Sequence, residues 1–251
     1  TETASLDGAL AGCDAVIHLV GIIREFPSQG ITFRRLHVEA TRHMVEAAEA
    51  QGVKRFLHMS ANGVRPDAPS AYYRTKWQAE ELVRAASLDW TILRPSIIFG
   101  CDGEFVTTLA ELIRRIPVIP VIGRGRYRMQ PVALEDVAVT FVKALEMDET
   151  IGRTYQLGGR ESYTYEEILD HTGRAIGRHP VRKLHQPLLM MKPIVKLLEG
   201  ASSFPITSDQ LTMMLEGNVC DPSHWAATFG IEPVSYAEGI SRCFSASRRQ
   251  E

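Results

Sequence analysis

The run AVIHLV (residues 15–20) is apolar apart from one histidine and ends at Gly21, which predicts a strand buried on both faces. From about residue 31 to 50 the period changes. Phe33, Leu36, Ala40, Met44, Ala47 and Ala48 fall on one helical face, with Gly52 as the stop. VKRFLHMS (53–60) predicts a second strand, residues 70–86 a second helix, and WTILRPSIIFG (90–100) a third strand running into Pro95. A helix over 104–116, a short strand passing into a helix near Leu134, and a strand over 154–159 come next. TYEE (164–167), TSDQ (207–210) and SYAE (235–238) read as capping boxes that open three more helices.

Strands alternating with helices imply a doubly wound parallel α/β sheet covered on both faces. After about residue 160 the pattern turns mainly helical and richer in proline. The expected organisation is one domain over residues 1–160 and a small, mainly helical lobe over 161–251.

Composition narrows the classes. With 45% hydrophobic and 23% charged residues, the chain can bury a core and is not disordered. A net charge of -2, with signs interspersed, excludes nucleic-acid binding driven by a basic surface. The four cysteines (Cys13, Cys101, Cys220, Cys243) are far apart and form no metal-ligand spacing, so a reduced, cytoplasmic chain without structural zinc is expected. No apolar run reaches the roughly 18 residues needed to span a bilayer. QPLLMMKPIVKLLEG (186–200) is apolar with two lysines, which suits its own lobe, a partner subunit or a peripheral position on a membrane surface. Arg124, Arg126 and Arg128 alternate along an extended stretch and suit either a phosphate-bearing ligand or a solvated edge. His18, inside an apolar strand, is expected to be a satisfied core residue.

The candidate chemistry lies in SAYYRTKWQAEELV (70–83). Tyr72 and Lys76 are four residues apart and Tyr73 and Lys76 three, so either phenol shares a helical face with the ammonium. A neighbouring ammonium favours the phenolate and is expected to lower the tyrosine pKa, as a proton-transfer role requires. Spacing alone does not choose between the two tyrosines.

Several stretches, taken in order, resemble the extended and atypical short-chain dehydrogenase/reductase superfamily, whose members include NAD-dependent epimerases and dehydratases. They are DAVIHLVG (14–21), FRRLHVEATRHMVEAAEAQGVKRFLHMSA (33–61), YYRTK (72–76), LRPSIIFG (93–100) and QPVALEDVA (130–138). The detail of MQPVALEDVA and of YYRTK followed by AEELV is similar to the nucleotide-binding accessory subunit of respiratory complex I and its bacterial relatives. The resemblance implies a Rossmann-type sheet that binds NAD or NADP. It implies Tyr72 as the family tyrosine and Lys76 as its lysine, the pair that would be catalytic. It further implies a cofactor-binding set of Leu19, Val20, Gly21, Met59, Ser60, Ala61, Tyr72, Lys76, Pro95, Ser96, Ile97 and Ile98.

Two departures bear on function. An ungapped alignment puts Ala61 where the family carries a carbonyl-polarising Ser or Thr, with Ser60 one position early, placed either to cap the loop, as expected, or to take that hydroxyl's place through a shift of register; His37 stands at a usual asparagine. The Gly-rich dinucleotide turn that should come after a first strand is missing. The sequence is therefore expected to be part of a longer polypeptide whose first strands precede it. Three functions remain open: a protein that holds its nucleotide for a structural, assembly or regulatory role, an active oxidoreductase or epimerase/dehydratase using Tyr72 and Lys76, or an interaction module without nucleotide.

Overall fold

Strand β1 (Ala15–His18), helix α1 (Ala40–Ala50), strand β2 (Arg55–Met59), helix α2 (Ala71–Ala85) and strand β3 (Asp89–Pro95) form the first half of a computed structural model. It describes residue 6, residues 8–200, residue 204 and residues 206–247. Next in the chain are β4 (Ile98–Phe99), α3 (Glu104–Arg115), β5 (Ile119–Ile122), β6 (Arg128–Met129), β7 (Val132–Ala133) and α4 (Leu134–Glu146). The remainder comprises β8 (Arg153–Leu157), β9 (Tyr163–Thr164), α5 (Tyr165–Ala175), β10 (Lys183–Gln186), α6 (Leu188–Leu198), α7 (Ser208–Glu216), α8 (Ser223–Phe229) and α9 (Tyr236–Ser247). Packing divides the chain into two units, Thr1–Pro95 with Val139–Gln156 and Ser96–Ala138 with Leu157–Glu251. The sequence places one boundary near residue 160. One junction falls close to it, between Gln156 and Leu157, while residues 96–138 join the second unit.

In the first unit a four-stranded sheet runs β1-β2-β3-β8. The first three strands are parallel, with Val16 opposite Phe56 and Phe56 opposite Trp90. This is the parallel α/β architecture that the strand–helix alternation predicts. Val45 and Ala48 of α1 and Val83 of α2 pack with Val16, Phe56 and Ile92 of the sheet. The first four residues of β2, Arg55 to His58, are buried, as expected for a strand covered on both faces. β1 departs from that expectation. Val16 and His18 are buried, but Ile17 is 41% exposed and Leu19 and Val20 are exposed beyond the strand end, because nothing among the described residues covers that side.

The first helix also differs from its predicted form. Residues Arg34–Glu39 form a π-helical turn before α1 begins. The wider turn shifts the phase of the helix, so Val38 is buried beside His37 while Leu36 is only partly so.

Arg55 is buried at the start of β2 and forms no ion pair among the described residues, although the charges of Asp89 and Asp148 favour its cation. Its guanidinium donates to the Ala144 carbonyl (Nε 3.1 Å, Nη2 2.6 Å), the Asp89 carbonyl (2.6 Å) and the hydroxyls of Thr91 and Thr150 (both 2.8 Å). Main-chain carbonyls thus solvate the cation and fasten β2 to β3, α4 and the turn beyond it.

The second unit has three short strand pairs: β4 with β7 and β5 with β10, both parallel, and β6 with β9, antiparallel. Helices α3, α5 and α9 enclose a core that includes Phe99, Val106, Ile119, Ile168, Tyr236 and Ile240. The boxes at Thr164/Glu167 and Thr207/Gln210 form as predicted, each with the side chain of the cap accepting from the third helical N–H. The cysteine expectation is overturned: Cys101 and Cys243, 142 residues apart, are disulfide-bonded, with Cα atoms 4.8 Å apart. Sequence distance does not limit pairing once β4 and α9 share one core.

Candidate functional site

Ser70 starts α2 by accepting a hydrogen bond from the Tyr73 N–H (3.1 Å). From there the buried stripe of the helix is Tyr73, Lys76, Ala79, Glu80 and Val83. Two charged residues in such a stripe need partners. Glu80, wholly buried, accepts from Arg94 (Nε 2.7 Å, Nη2 2.5 Å) and from Arg84. Lys76, 3% exposed, donates from Nζ to the carbonyls of Met59 (3.1 Å) and Val20 (3.4 Å). Both acceptors lie at or just beyond the carboxyl ends of neighbouring parallel strands, where ligands bind in open α/β sheets. Burial pushes the Lys76 pKa down to about 8, against a smaller upward pull from Glu80.

Gly21 completes this corner. A β-carbon there would stand 2.8 Å from Lys76 Nζ and 3.6 Å from His37 Nε2. Val20, Gly21, Met59 and Lys76 are thus brought together, whereas Leu19 is exposed.

Tyr72 does not behave as the spacing suggests. Its pKa is raised, not lowered, because burial disfavours the phenolate and Tyr73 adds to that effect. The Lys76 ammonium is not among the causes of that shift; it hydrogen-bonds the Val20 and Met59 carbonyls. Tyr72 packs at right angles to both His37 (5.3 Å between centroids) and Phe33 (5.8 Å).

After β2 the chain continues beside β3: the Ser60 N–H donates to the Leu93 carbonyl and the Asn62 N–H to that of Pro95, both at 2.8 Å. Ala61 is buried and offers no hydroxyl. Ser60 does not cap the loop as expected; its Oγ is buried with no hydrogen-bond partner. Ser96, Ile97 and Ile98 belong to the second unit. There the Ser96 hydroxyl donates to the Gln130 carbonyl, the Ile97 carbonyl accepts from the Val132 N–H (2.9 Å), and Ile98 pairs with Val132.

Three histidines cluster around this corner. His18 holds Thr41 Oγ1 through Nε2 (3.0 Å), as a satisfied core residue should, and stacks on His58 at 5.5 Å. Both ring nitrogens of His58 are buried without a hydrogen-bond partner among the described residues. His37 bridges Thr75 Oγ1 (2.9 Å) and the Ile22 carbonyl (3.0 Å). Burial first, and the Lys76 charge second, hold His18 down at about 4 and His37 at about 3; the same causes lower His58. All three are neutral near pH 7. Sequence reasoning misses the structural part of His37: four residues after Phe33 it falls on the predicted helical face, but a face counted by apolar residues passes over a polar one.

A nicotinamide nucleotide fits what this corner offers. The orphaned Ser60 hydroxyl and the Lys76 ammonium are polar groups at strand ends, and Gly21 keeps the approach free of a side chain.

Sheet order, parallel register and a ligand corner at the strand ends define a Rossmann-type nucleotide-binding α/β protein. Residues 1–148 match the NAD(P)H-binding family model, and the chain belongs to that family. It is 30% identical over 240 residues to the 40 kDa subunit of mitochondrial NADH-ubiquinone oxidoreductase from Neurospora crassa, covering 94% of this chain and 62% of the relative. It is 31% identical over 183 residues to a ceramide reductase from Caulobacter vibrioides, covering 70% of this chain and 54% of that protein. The chain thus spans between about half and two thirds of these relatives. The crystal structure of DesIV, a dTDP-glucose 4,6-dehydratase from Streptomyces venezuelae with NAD bound, shares the fold: TM-score 0.75 at 20% identity, over 99% of this chain and 77% of that one.

Proposed function

We propose that the protein holds a nicotinamide nucleotide at the carboxyl ends of β1 and β2 and that this nucleotide stabilises it within an assembly instead of turning over. The supporting observation is that the anchoring half of the site is built and the acid–base half is not. Lys76 sits fixed beside Gly21, where its ammonium donates to ribose hydroxyls. The phenol of Tyr72 is held away from ionisation, and Ala61 occupies the hydroxyl position. A nucleotide bound only to the folded state stabilises by RT ln(1 + [L]/Kd), about 2.7 kcal/mol at a hundredfold excess over Kd, with no reaction needed. Similarity to a subunit of NADH-ubiquinone oxidoreductase supports an assembly role.

The test is a thermal-shift and calorimetric titration with NADH, NADPH and their oxidised forms. The expected result is a rise of several degrees with at least one of them, unchanged to within about twofold in Tyr72→Phe. No shift with any nucleotide rejects the reading.

A second reading is favoured by one observation, the buried and unpartnered Ser60 Oγ. When bound, a nicotinamide supplies or accepts hydride. In this reading Ser60 hydrogen-bonds a substrate oxygen and Tyr72 moves its proton, as suits a carbonyl reductase. A Tyr72→Phe variant that binds nucleotide normally but loses turnover of a carbonyl substrate by a hundredfold or more would establish it.

A further inference from the structure

The second unit contains a cavity of about 570 Å³ whose wall combines two kinds of side chain. Arg124, Arg126 and His185 are the basic part, Leu188 and Leu215 the apolar part, and Tyr127 stands between them. Neither Arg124 nor Arg126 has an ion-pair or hydrogen-bond partner among the described residues, unlike Arg128, which donates to Ser162. Of the three basic groups, His185 alone has an acidic contact among the described residues, to Glu166 at 2.8 Å. The Tyr127 hydroxyl is buried with no hydrogen-bond partner among the described residues.

Leu188 opens α6, so the cavity is continuous with that helix. At 3.6 residues per turn, Leu188, Met191 and Val195 share the covered face. Lys192 and Lys196 flank it. Leu189, Met190, Ile194, Leu197 and Leu198 occupy roughly half of the circumference, and all are exposed, Leu189 at 87% and Leu197 at 83%. The helix has no acidic residue. An apolar face with lysines along its edge, on a helix whose first residue lines a cavity holding two unpartnered arginines, is the pattern of a helix in a bilayer interface, with the cations at headgroup level. Among the described residues no helix is long and apolar enough to cross a membrane, so this face would lie on one.

We propose that α6 and the Arg124/Arg126 cavity dock the protein onto an anionic lipid surface. The helix face enters the acyl boundary, and a lipid phosphate seats between the two arginines. Charge selects the occupant: a protein surface that covers Leu189 and Leu197 need not be acidic, whereas Arg124, Arg126, Lys192 and Lys196, with no acid on α6, match phosphate headgroups.

The test is co-sedimentation of the full chain with vesicles of phosphatidylcholine alone or three parts phosphatidylcholine to one part phosphatidylglycerol. Three variants are compared after melting curves confirm folding: Arg124→Glu with Arg126→Glu, Leu189→Glu with Leu197→Glu, and Lys192→Glu with Lys196→Glu. The wild type should sediment with the anionic vesicles only, and each double variant should lose at least about tenfold in partitioning. Inorganic phosphate at millimolar concentration should not displace the protein. Binding equal to wild type in the arginine variant, or equal binding to both vesicle types, overturns the proposal. So does self-association in sedimentation velocity that Leu189→Glu with Leu197→Glu abolishes, in a protein that ignores vesicles, since the face would then belong to a second copy.

Discussion

The rings of His37 and Tyr72 meet at an interplanar angle of 87°, with centroids 5.3 Å apart, and the opposite side of His37 is tied to Thr75 and Ile22. His37 is therefore a positioning residue for Tyr72 and for the loop after Gly21. Truncation to alanine removes two polar links and leaves a cavity, at a cost of about 2–4 kcal/mol. His37→Asn keeps polar reach with less bulk and should lose roughly half of that. Urea denaturation measures both. Nucleotide affinity separates positioning from mere packing, because His37→Asn should bind NAD(P)H several-fold better than His37→Ala.

Lys76→Met should affect binding more than stability. The variant removes a buried ammonium whose pKa is already depressed to about 8, which offsets the loss of its contacts to Val20 and Met59. A melting temperature within a few degrees of wild type is expected. Nucleotide affinity should fall by at least about tenfold, the scale of one lost charged hydrogen bond. An unchanged affinity in calorimetry would remove Lys76 from the site.

Acid should weaken the fold before the carboxylates protonate. His18 and His37 titrate near 4 and 3 when folded, against 6.5 for a free histidine, and His58 is lowered too. Between these values the unfolded chain binds more protons, so stability rises with pH. The contribution is complete above about pH 6.5, declines as pH falls below it, and levels off near the folded values. Denaturation midpoints from pH 7.5 to 5 should therefore drop, by a total on the order of a few kcal/mol. A flat profile over that window would mean that the three rings are not buried neutral.

Much of the fold and of the site is legible in the sequence because it rests on period and order. The parallel sheet is implied by the apolar runs at β2 and β3, and Lys76 is placed by its helical spacing and by the motifs around it. The hidden features depend on contacts between distant residues or on local geometry. The rise in the Tyr72 pKa comes from burial, which no spacing records. The π-helical turn over Arg34–Glu39 buries Val38, which a face counted at 3.6 residues per turn leaves outside. Arg55 carries no signal of its role in VKRFLHMS, because its main partner, the Ala144 carbonyl, is 89 residues away. The half-exposed β1 shows the limit of composition, since an apolar run reports what a strand can bury and not what covers it.

The pairing of Cys101 with Cys243 is open to direct chemistry. Cys243 lies buried on α9, and the bond closes a loop with a sequence separation of 142 residues. A cross-link of that length restricts the unfolded chain, and its loss typically costs about 2–4 kcal/mol. Denatured without reductant, the protein should show two thiols to Ellman's reagent, those of Cys13 and Cys220, and four after reduction. Cys101→Ser should leave three reactive thiols and lower the urea midpoint, and adding Cys243→Ala should cause little further loss, because the pair acts as one unit. Four thiols in the unreduced protein would show that the bond does not form, and the two substitutions should then cost only what their separate packing explains.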